Sequence, residues 1–157
     1  MFAVAMLGMG LVIFVGVWFQ PQKIFLENTV NEAAPPSAPG TASPAANEEV
    51  ASGRFKSLEH RTTGSAHVLR LPNGSHVLRI ENLDTSNGPD LRVYLSELPS
   101  NLGWHDYGER YVELGKLKGN RGDQNYRIPA GTDVSKYKSL VIWCVRFKVG
   151  FGVAPLT

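Results

Sequence analysis

The sequence predicts an all-β domain, a compact β-sandwich of jelly-roll-like type, that follows a single transmembrane helix and a disordered linker. Short runs of β-branched and aromatic residues alternate with turn residues after position 52, as they do in sandwiches and barrels. No stretch of that part has the 3.6-residue periodicity of an amphipathic helix. The part before it is first apolar and then rich in Ala, Pro and Ser. We therefore place the anchor at 1–20, the linker at 21–52 and the domain at 53–157.

The predicted anchor is an uncharged run of eighteen residues, Phe2 to Phe19. A helix of this length approaches the roughly 30 Å thickness of the hydrocarbon core of a bilayer. The alternative is a cleavable signal peptide, but Val17, Trp18 and Phe19 are bulky where a cleavage site needs small residues. A retained anchor is therefore favoured. It would make the membrane a partner and place the domain outside the cytoplasm, at the cell surface or in the periplasm.

The linker carries one base and four acids, whereas the chain from Gly53 onward carries fifteen bases and ten acids. The linker offers too little apolar surface to offset the entropy of folding. About thirty flexible residues span on the order of 30 Å, so we expect the domain to stand clear of the lipid headgroups. The bases of the domain are spread along strand positions and not clustered, which argues against nucleic acid as a partner.

The clearest local signal in the domain is a hairpin. Two β-rich runs, 65–71 and 75–82, flank Pro72-Asn73-Gly74, and Asn and Gly accept the positive φ angles of tight hairpin turns. Further short strands are expected at 54–58, 91–95, 111–118 and 124–128, and at most one helical turn is expected at 133–137.

The run 140–152 is strongly apolar and contains the only cysteine of the chain. Its continuity predicts a strand that is buried on both faces. With a period of two residues, Cys144 shares a face with Ile142, and Trp143 shares the other face with Val141. The same alternation predicts Val145, Phe147, Val149 and Phe151 inward and Arg146 and Lys148 outward.

Four groups of residues follow one another through the domain. They are Phe55 with His60 and Gly64; Gly88-Pro89-Asp90-Leu91 with Val93-Tyr94-Leu95; Leu114 to Gly119 with Gly122 to Tyr126; and Val141 to Cys144 with Phe147, Phe151, Gly152 and Ala154. In this order and over this length, the domain resembles the DM13 family, which is proposed to take part in electron transfer. The resemblance implies a compact, frequently exported β-sandwich. It also implies that Cys144 is the suspected redox group.

Two roles are open for Cys144. A single buried cysteine is most often a small hydrophobe, and one cysteine cannot form an intrachain disulfide. A redox thiol would instead have to reach its thiolate form, which needs a nearby cation or hydrogen-bond donor and some exposure. On the predicted strand, Arg146 lies two residues along on the same face and is the nearest candidate cation.

The candidate binding residues are His60, Asp90, Trp143 and Arg146. His60 belongs to a motif of the resemblance, although it could merely hydrogen-bond a loop carbonyl. Asp90 either organises its own loop in an Asx-type turn or faces a ligand beside Arg92, and Trp143 is expected in the core. No metal site is expected, because the four histidines lack a compact ligand spacing. The sequence identifies no cofactor.

Two functions from different classes are compatible with these residues. The first is a membrane-tethered redox or electron-transfer module centred on Cys144 and working with a redox protein partner. The second is a non-catalytic β-sandwich that binds a cell-envelope ligand or protein, with Cys144 as core packing. The sequence shows no nucleophile–base–acid arrangement, phosphate loop or pair of catalytic carboxylates, so it does not decide whether the protein is an enzyme.

Overall fold

The computed structural model describes residues 27–36 and 46–157. Within these ranges ten β-strands form two five-stranded sheets, and the all-β prediction is confirmed. The strands are β1 Thr29–Asn31, β2 Glu48–Arg54, β3 Lys56–Ser57, β4 Thr62–Arg70, β5 His76–Thr85, β6 Leu91–Ser96, β7 Tyr111–Lys116, β8 Arg121–Arg127, β9 Ser139–Cys144 and β10 Val149–Pro155. A short 3-10 turn at Val134–Lys136 is the helical turn that the sequence predicts.

Sheet A has the strand order β1-β8-β5-β4-β2, and sheet B has the order β3-β10-β9-β6-β7. The predicted hairpin is β4–β5, and Gly74, at φ +80°, donates its N–H to the Leu71 carbonyl to close the turn. Consecutive strands also pair antiparallel in β6–β7 and in β9–β10. These three connections join neighbours within one sheet. The two sheets confirm the all-β part of the prediction, and the jelly-roll-like part is not shown.

The main core lies between the two sheets. Alternate residues of each strand point into it, as the period of a strand requires. Sheet A contributes Val68, Leu78 and Ile80, and sheet B contributes Val93 and Ile142. Burying a side chain of this kind contributes about 1.5–3 kcal/mol relative to an exposed position, so this layer is the main source of stability.

A second, smaller core covers the outer face of sheet B under the loop 97–110. Tyr107 of that loop is fully buried and donates its hydroxyl to the Pro99 carbonyl at 2.9 Å. Trp143 faces this second core, whereas Cys144 faces the main core. Strand β9 is therefore buried on both faces, as the sequence predicts. The second core consists of Tyr94, Tyr107, Val141, Trp143 and Val153.

The prediction that β9 and β10 form one continuous strand is wrong. Strand β9 ends at Cys144, and the β9–β10 turn, residues 145–148, reverses the chain. The Lys148 N–H donates to the Cys144 carbonyl at 2.8 Å, and Lys148 has a φ of +55°. Val145 and Phe147 are consequently exposed on the turn and do not point inward. Val149 and Phe151 point inward as predicted.

Part of the predicted linker is ordered. Residues 27–36, called the strap here, place β1 beside β8 in parallel register, and β2 pairs with β4 at the opposite edge of sheet A. The prediction of disorder is therefore wrong for 27–36 and 46–52, while 21–26, 37–45 and the predicted anchor at 1–20 lie outside the described residues. Among the residues that are described, no helix is long and apolar enough to cross a membrane.

Complementary charges hold the strap on sheet A. The Glu32 carboxylate pairs with Lys118 Nζ at 2.8 Å and accepts the Asn125 N–H at 2.6 Å. Glu27 pairs with Arg121 at 2.6 Å. The acids of the predicted linker thus meet bases of the domain, which gives a structural meaning to the unequal charge counts of the two segments.

The strap is expected to loosen in acid. Hydrogen bonds from Lys118 and from the Asn125 backbone hold the pKa of Glu32 below its ordinary value of 4.5, and the charge of Arg79 adds to this effect. A carboxylate whose pKa is lowered by folding stabilises the fold above its unfolded pKa and loses that contribution as the pH falls through its folded pKa. We therefore expect the NMR resonance of the Asn125 amide to shift as the pH falls below 4.5. In Glu32→Gln this transition should be absent; its persistence would assign it to another group.

Candidate functional site

Cys144, the suspected redox group, is the last residue of β9, and its side chain is 0% exposed. It points into the main core. Arg146 does not follow it on the same strand face, because the chain turns at position 145 and Arg146 lies exposed in the β9–β10 turn. Because its side chain is buried, the thiol lacks the solvent access that thiolate chemistry needs. The described part of the chain also contains no group of three or more His, Cys, Asp or Glu side chains that could hold a metal ion.

On the opposite face of β9, Trp143 begins a row of three aromatic side chains with Tyr94 and Tyr111, called the aromatic stack here. The ring centroids of Trp143 and Tyr94 are 6.2 Å apart, and those of Tyr94 and Tyr111 are 3.8 Å apart. The two tyrosine rings are within 5° of parallel. Trp143 and Tyr94 are buried, whereas Tyr111 is 37% exposed. The stack thus runs from the interior of the protein to its surface.

Strand register builds the aromatic stack. Tyr94 is out of phase with the inward-facing Val93, so its ring stands on the outer face of sheet B. An irregularity in the β6–β7 pairing then sets Tyr94 opposite Glu113 and Ser96 opposite Tyr111. The two tyrosines are diagonal neighbours, a spacing that aromatic side chains can bridge. Sequence analysis selected neither tyrosine as a site residue. The alternation along β6 places Tyr94 on the face opposite Val93 and could have indicated it, whereas the shift in register leaves no pattern in the sequence.

The inner part of the stack is neutral and closely packed. Burial, reinforced by a hydrogen bond to Tyr111, raises the pKa of Tyr94, so its phenol stays protonated at physiological pH. Gly108 lies against Trp143, and a Cβ atom at that glycine would be 3.3 Å from the indole. The loop 97–110 therefore packs closely against the indole.

A cleft of about 590 Å³ opens beside the aromatic stack. His105, on its rim, stacks on Trp104 with ring centroids 4.1 Å apart, and its Nδ1 lies 3.1 Å from the Lys148 carbonyl oxygen. Asp106, Glu109 and Lys148 add charged groups to the lining. In the described part of the chain, the most exposed large hydrophobic side chains all belong to the cleft or to segments that border it: Trp104, Tyr111, Val145 and Phe147.

Asp90 and His60 lie outside the cleft. The Asp90 carboxylate accepts a hydrogen bond from Arg92 Nε at 2.7 Å, and its carbonyl accepts the Val145 N–H at 3.0 Å. Asp90 thus organises its loop and the adjoining β9–β10 turn, with Arg92 as a donor. The His60 ring packs on Phe151 with centroids 3.9 Å apart and lines a separate polar pocket of about 360 Å³.

The structure does not gather the sequence candidates at one site. Cys144 and Trp143 are neighbours in the chain but face different cores. Asp90 and Arg146 lie at the β9–β10 turn, and His60 lines a different pocket. Of these residues, only Trp143 belongs to the aromatic stack and lines the cleft.

Comparison with known proteins identifies the domain. The family model described as Electron transfer DM13 matches residues 54–156. The match runs from the end of β2 to the last strand and includes the aromatic stack and Cys144. No curated protein and no solved structure matches the chain. The chain belongs to the DM13 family of electron-transfer domains.

Proposed function

We propose that this chain is a membrane-tethered electron-transfer module that works outside the cytoplasm and exchanges single electrons with a redox protein through the aromatic stack. Membership of an electron-transfer family supports the redox role. The uncharged run from Phe2 to Phe19 supports the tether, since its length and composition are typical of a membrane-spanning helix.

The contact between Tyr94 and Tyr111 is the observation that carries this proposal. Their nearly parallel rings have centroids 3.8 Å apart, so the two π-systems are in van der Waals contact. One ring reaches the surface, and the other adjoins Trp143 in the interior. Rings in such an arrangement allow an electron to pass without any opening of the fold and without a diffusing reagent.

In the proposed step, an oxidised one-electron partner binds over the exposed ring of Tyr111, which lies at the opposite end of sheet B from the β9–β10 turn, and takes one electron from the stack. The electron vacancy settles on the Trp143 indole, because an indole is easier to oxidise than a protonated phenol. A reduced partner later returns one electron, so no atom is transferred and the protein ends unchanged. The raised pKa of Tyr94 shows that its phenol is neutral before the reaction. In the proposed step this ring is the contact through which the electron passes, and it is not itself left oxidised, so no proton has to leave it.

Cys144 has a packing role in this proposal. Thiol–disulfide exchange requires a thiolate that a second sulfur can reach, whereas the Cys144 side chain has no exposed surface. Filling a core as a small hydrophobe is the usual role of a single buried cysteine. The proposal thus moves the redox site from the thiol to the aromatic face of the same strand.

Photo-oxidation of a chain with a single indole tests the relay. The protein has three tryptophans, and replacing Trp18 and Trp104 by Phe leaves only Trp143. A ruthenium tris-bipyridine photosensitiser in solution, with a soluble quencher, then oxidises the surface, and transient absorption follows the tryptophanyl radical. We expect Tyr94→Leu to slow the formation of this radical strongly, because it removes the ring between the surface and the indole.

Tyr137→Leu is the matched control. Tyr137 is a partly buried tyrosine that packs on the main core and lies outside the stack, so this change should leave the radical rate unaltered. Cys144→Ala, measured in the same assay, should also retain the rate. Equal rates for Tyr94→Leu and Tyr137→Leu, with circular dichroism showing both variants folded, would contradict the relay.

A binding module is the second candidate function, favoured by the cleft itself. Its volume of about 590 Å³ and its mixture of aromatic and hydrogen-bonding groups suit a cell-envelope ligand or a protein partner. Saturable binding of an envelope component at the cleft, with no radical reaching Trp143, would favour this function over electron transfer.

A further inference from the structure

The strap begins at the same end of the sandwich as the β9–β10 turn. The parallel register of β1 and β8 sets Glu27 beside Arg121, at the start of β8. Strand β5 ends there as well, since Asp84 opposes Arg121. The chain then crosses to sheet B, where Leu91 opposes Cys144, the residue before the turn. We call the end of the sandwich that contains Arg121 of sheet A and Cys144 of sheet B the proximal end.

The proximal end presents large hydrophobic side chains to solvent. In the β9–β10 turn, Phe147 is 53% and Val145 is 38% exposed. Trp104, at 41% exposure, is held close by, because its carbonyl accepts the Gly150 N–H just after the turn. Exposed hydrophobic groups that cluster in this way mark a binding surface.

Basic residues alternate with these hydrophobic side chains. Arg146 and Lys148 are both exposed in the turn and flank Phe147. Of the acids near this end, Glu27 and Asp84 pair with Arg121, and Asp90 pairs with Arg92. Asp106 and Glu109 line the cleft on the side of Lys148. The turn itself, residues 145–148, contains two bases and no acid.

The chain between the predicted anchor and the domain is short. The predicted helix ends near position 20, and Glu27 is already paired with Arg121, which leaves the six residues 21–26 between them. Fully extended, the seven Cα–Cα steps from 20 to 27 reach at most about 25 Å, and as a flexible coil they span about 15 Å. The proximal end is thus held near the headgroups, whereas a linker of about thirty flexible residues would have let the domain stand clear.

We infer that the proximal end docks on an anionic bilayer, with Trp104, Val145 and Phe147 at the interface and Arg146 and Lys148 against lipid phosphates. This inference rests on the proposed membrane anchor. Aromatic residues favour the boundary between lipid and water, and each basic residue near an anionic surface strengthens binding about fivefold. Because the anchor keeps the effective concentration high, even weak contacts suffice.

Quenching by brominated lipid tests the docking in the full-length chain. The chain is reconstituted into vesicles of phosphatidylcholine with or without phosphatidylglycerol, in a Trp18→Phe background that removes the indole of the predicted anchor. We expect brominated acyl chains to quench Trp104, and to quench it more when phosphatidylglycerol is present. A second background, with Trp104→Phe as well, measures the contribution of the buried Trp143.

Charge reversal provides a matched pair of variants. Arg146→Glu with Lys148→Glu should lower the ratio of docked to undocked protein about tenfold or more. Arg127→Glu with Lys136→Glu makes the same change in charge on exposed residues at the opposite end of the sandwich and should leave the quenching unaltered.

Flotation of the vesicles at high salt separates the two possible failures. A chain that does not float overturns the anchor and, with it, the docking. A chain that floats while Trp104 is not quenched overturns the docking alone. Equal loss of quenching in both charge-reversed variants would also overturn it, because the effect would then not depend on the proximal end.

Discussion

The thiol of Cys144 is expected to react with dithionitrobenzoate about 10³- to 10⁶-fold more slowly in the folded protein than in urea, since only the unfolded fraction exposes it. The side chain is 0% exposed and lies in the main core. The rate of colour development in the full-length chain, measured with and without denaturant, gives this ratio directly. Cys144→Ala supplies the blank.

A thiol that reacts rapidly under native conditions would return the redox role to Cys144. Two substitutions separate packing from chemistry. Cys144→Ser places a hydroxyl in the main core and should lower the free energy of unfolding by about 1–3 kcal/mol, with Cys144→Ala less costly. Both should keep electron transfer through the aromatic stack, whereas a redox thiol would lose its activity in both.

Gly122→Ala is expected to displace the strap from sheet A. Gly122 has a φ of +90°, and a Cβ atom there would collide with the carbonyl oxygen of Val30. The backbone strain alone costs on the order of 1–3 kcal/mol. The collision adds a further cost, which is relieved when the strap leaves sheet A. Urea unfolding should therefore show a lower free energy of unfolding, and a protease should cut between residues 27 and 36.

Gly131→Ala is the control for backbone strain without a collision. Gly131 has a similar φ, +81°, but a Cβ atom there would meet no atom within 4 Å. This variant should be destabilised by strain alone and should keep the strap protected from the protease. Equal cleavage of the strap in both variants would mean that Gly122 does not control the docking of β1.

Local chemistry carried the correct sequence predictions. The β4–β5 hairpin follows from a turn whose residues accept positive φ, and Gly74 does so at +80°. The two faces of β9 follow from the period of two residues, which separates Cys144 from Trp143. Both properties depend on residues that are close in the chain, so a single sequence contains them.

The errors concern contacts between distant residues or turns without the usual residues. The β9–β10 turn contains no Gly, Asn or Pro, and Lys148 adopts a positive φ that lysine seldom takes. The strap is joined to β8 across about ninety positions of the chain, as in the hydrogen bond from the Asn125 N–H to Glu32, and β1 is only three residues long. Composition alone predicts disorder for this segment, because the basic residues that pair with its acids lie far away in the sequence.

The candidate site shows the same limit. Trp143 and the strand that carries it were recognised from the sequence, but its partners Tyr94 and Tyr111 were not. Their stacking depends on a shift of the β6–β7 register near Val93, and pairing registers of this kind are set by the whole sheet. The sequence hypothesis thus points to strand β9 through Cys144, whereas the proposed relay uses the opposite face of that strand.

The pairing of β1 with β8 also bears on self-association. An uncovered strand offers its backbone N–H and C=O groups to other chains and promotes aggregation or domain swapping. In the described structure, β1 occupies this position on β8, and it is too short to recruit much itself. A chain held at a membrane, as proposed above, would meet its own copies often, in two dimensions. The strap should therefore keep crowded copies from adding strands to one another, and its loss should favour swapped dimers or fibres.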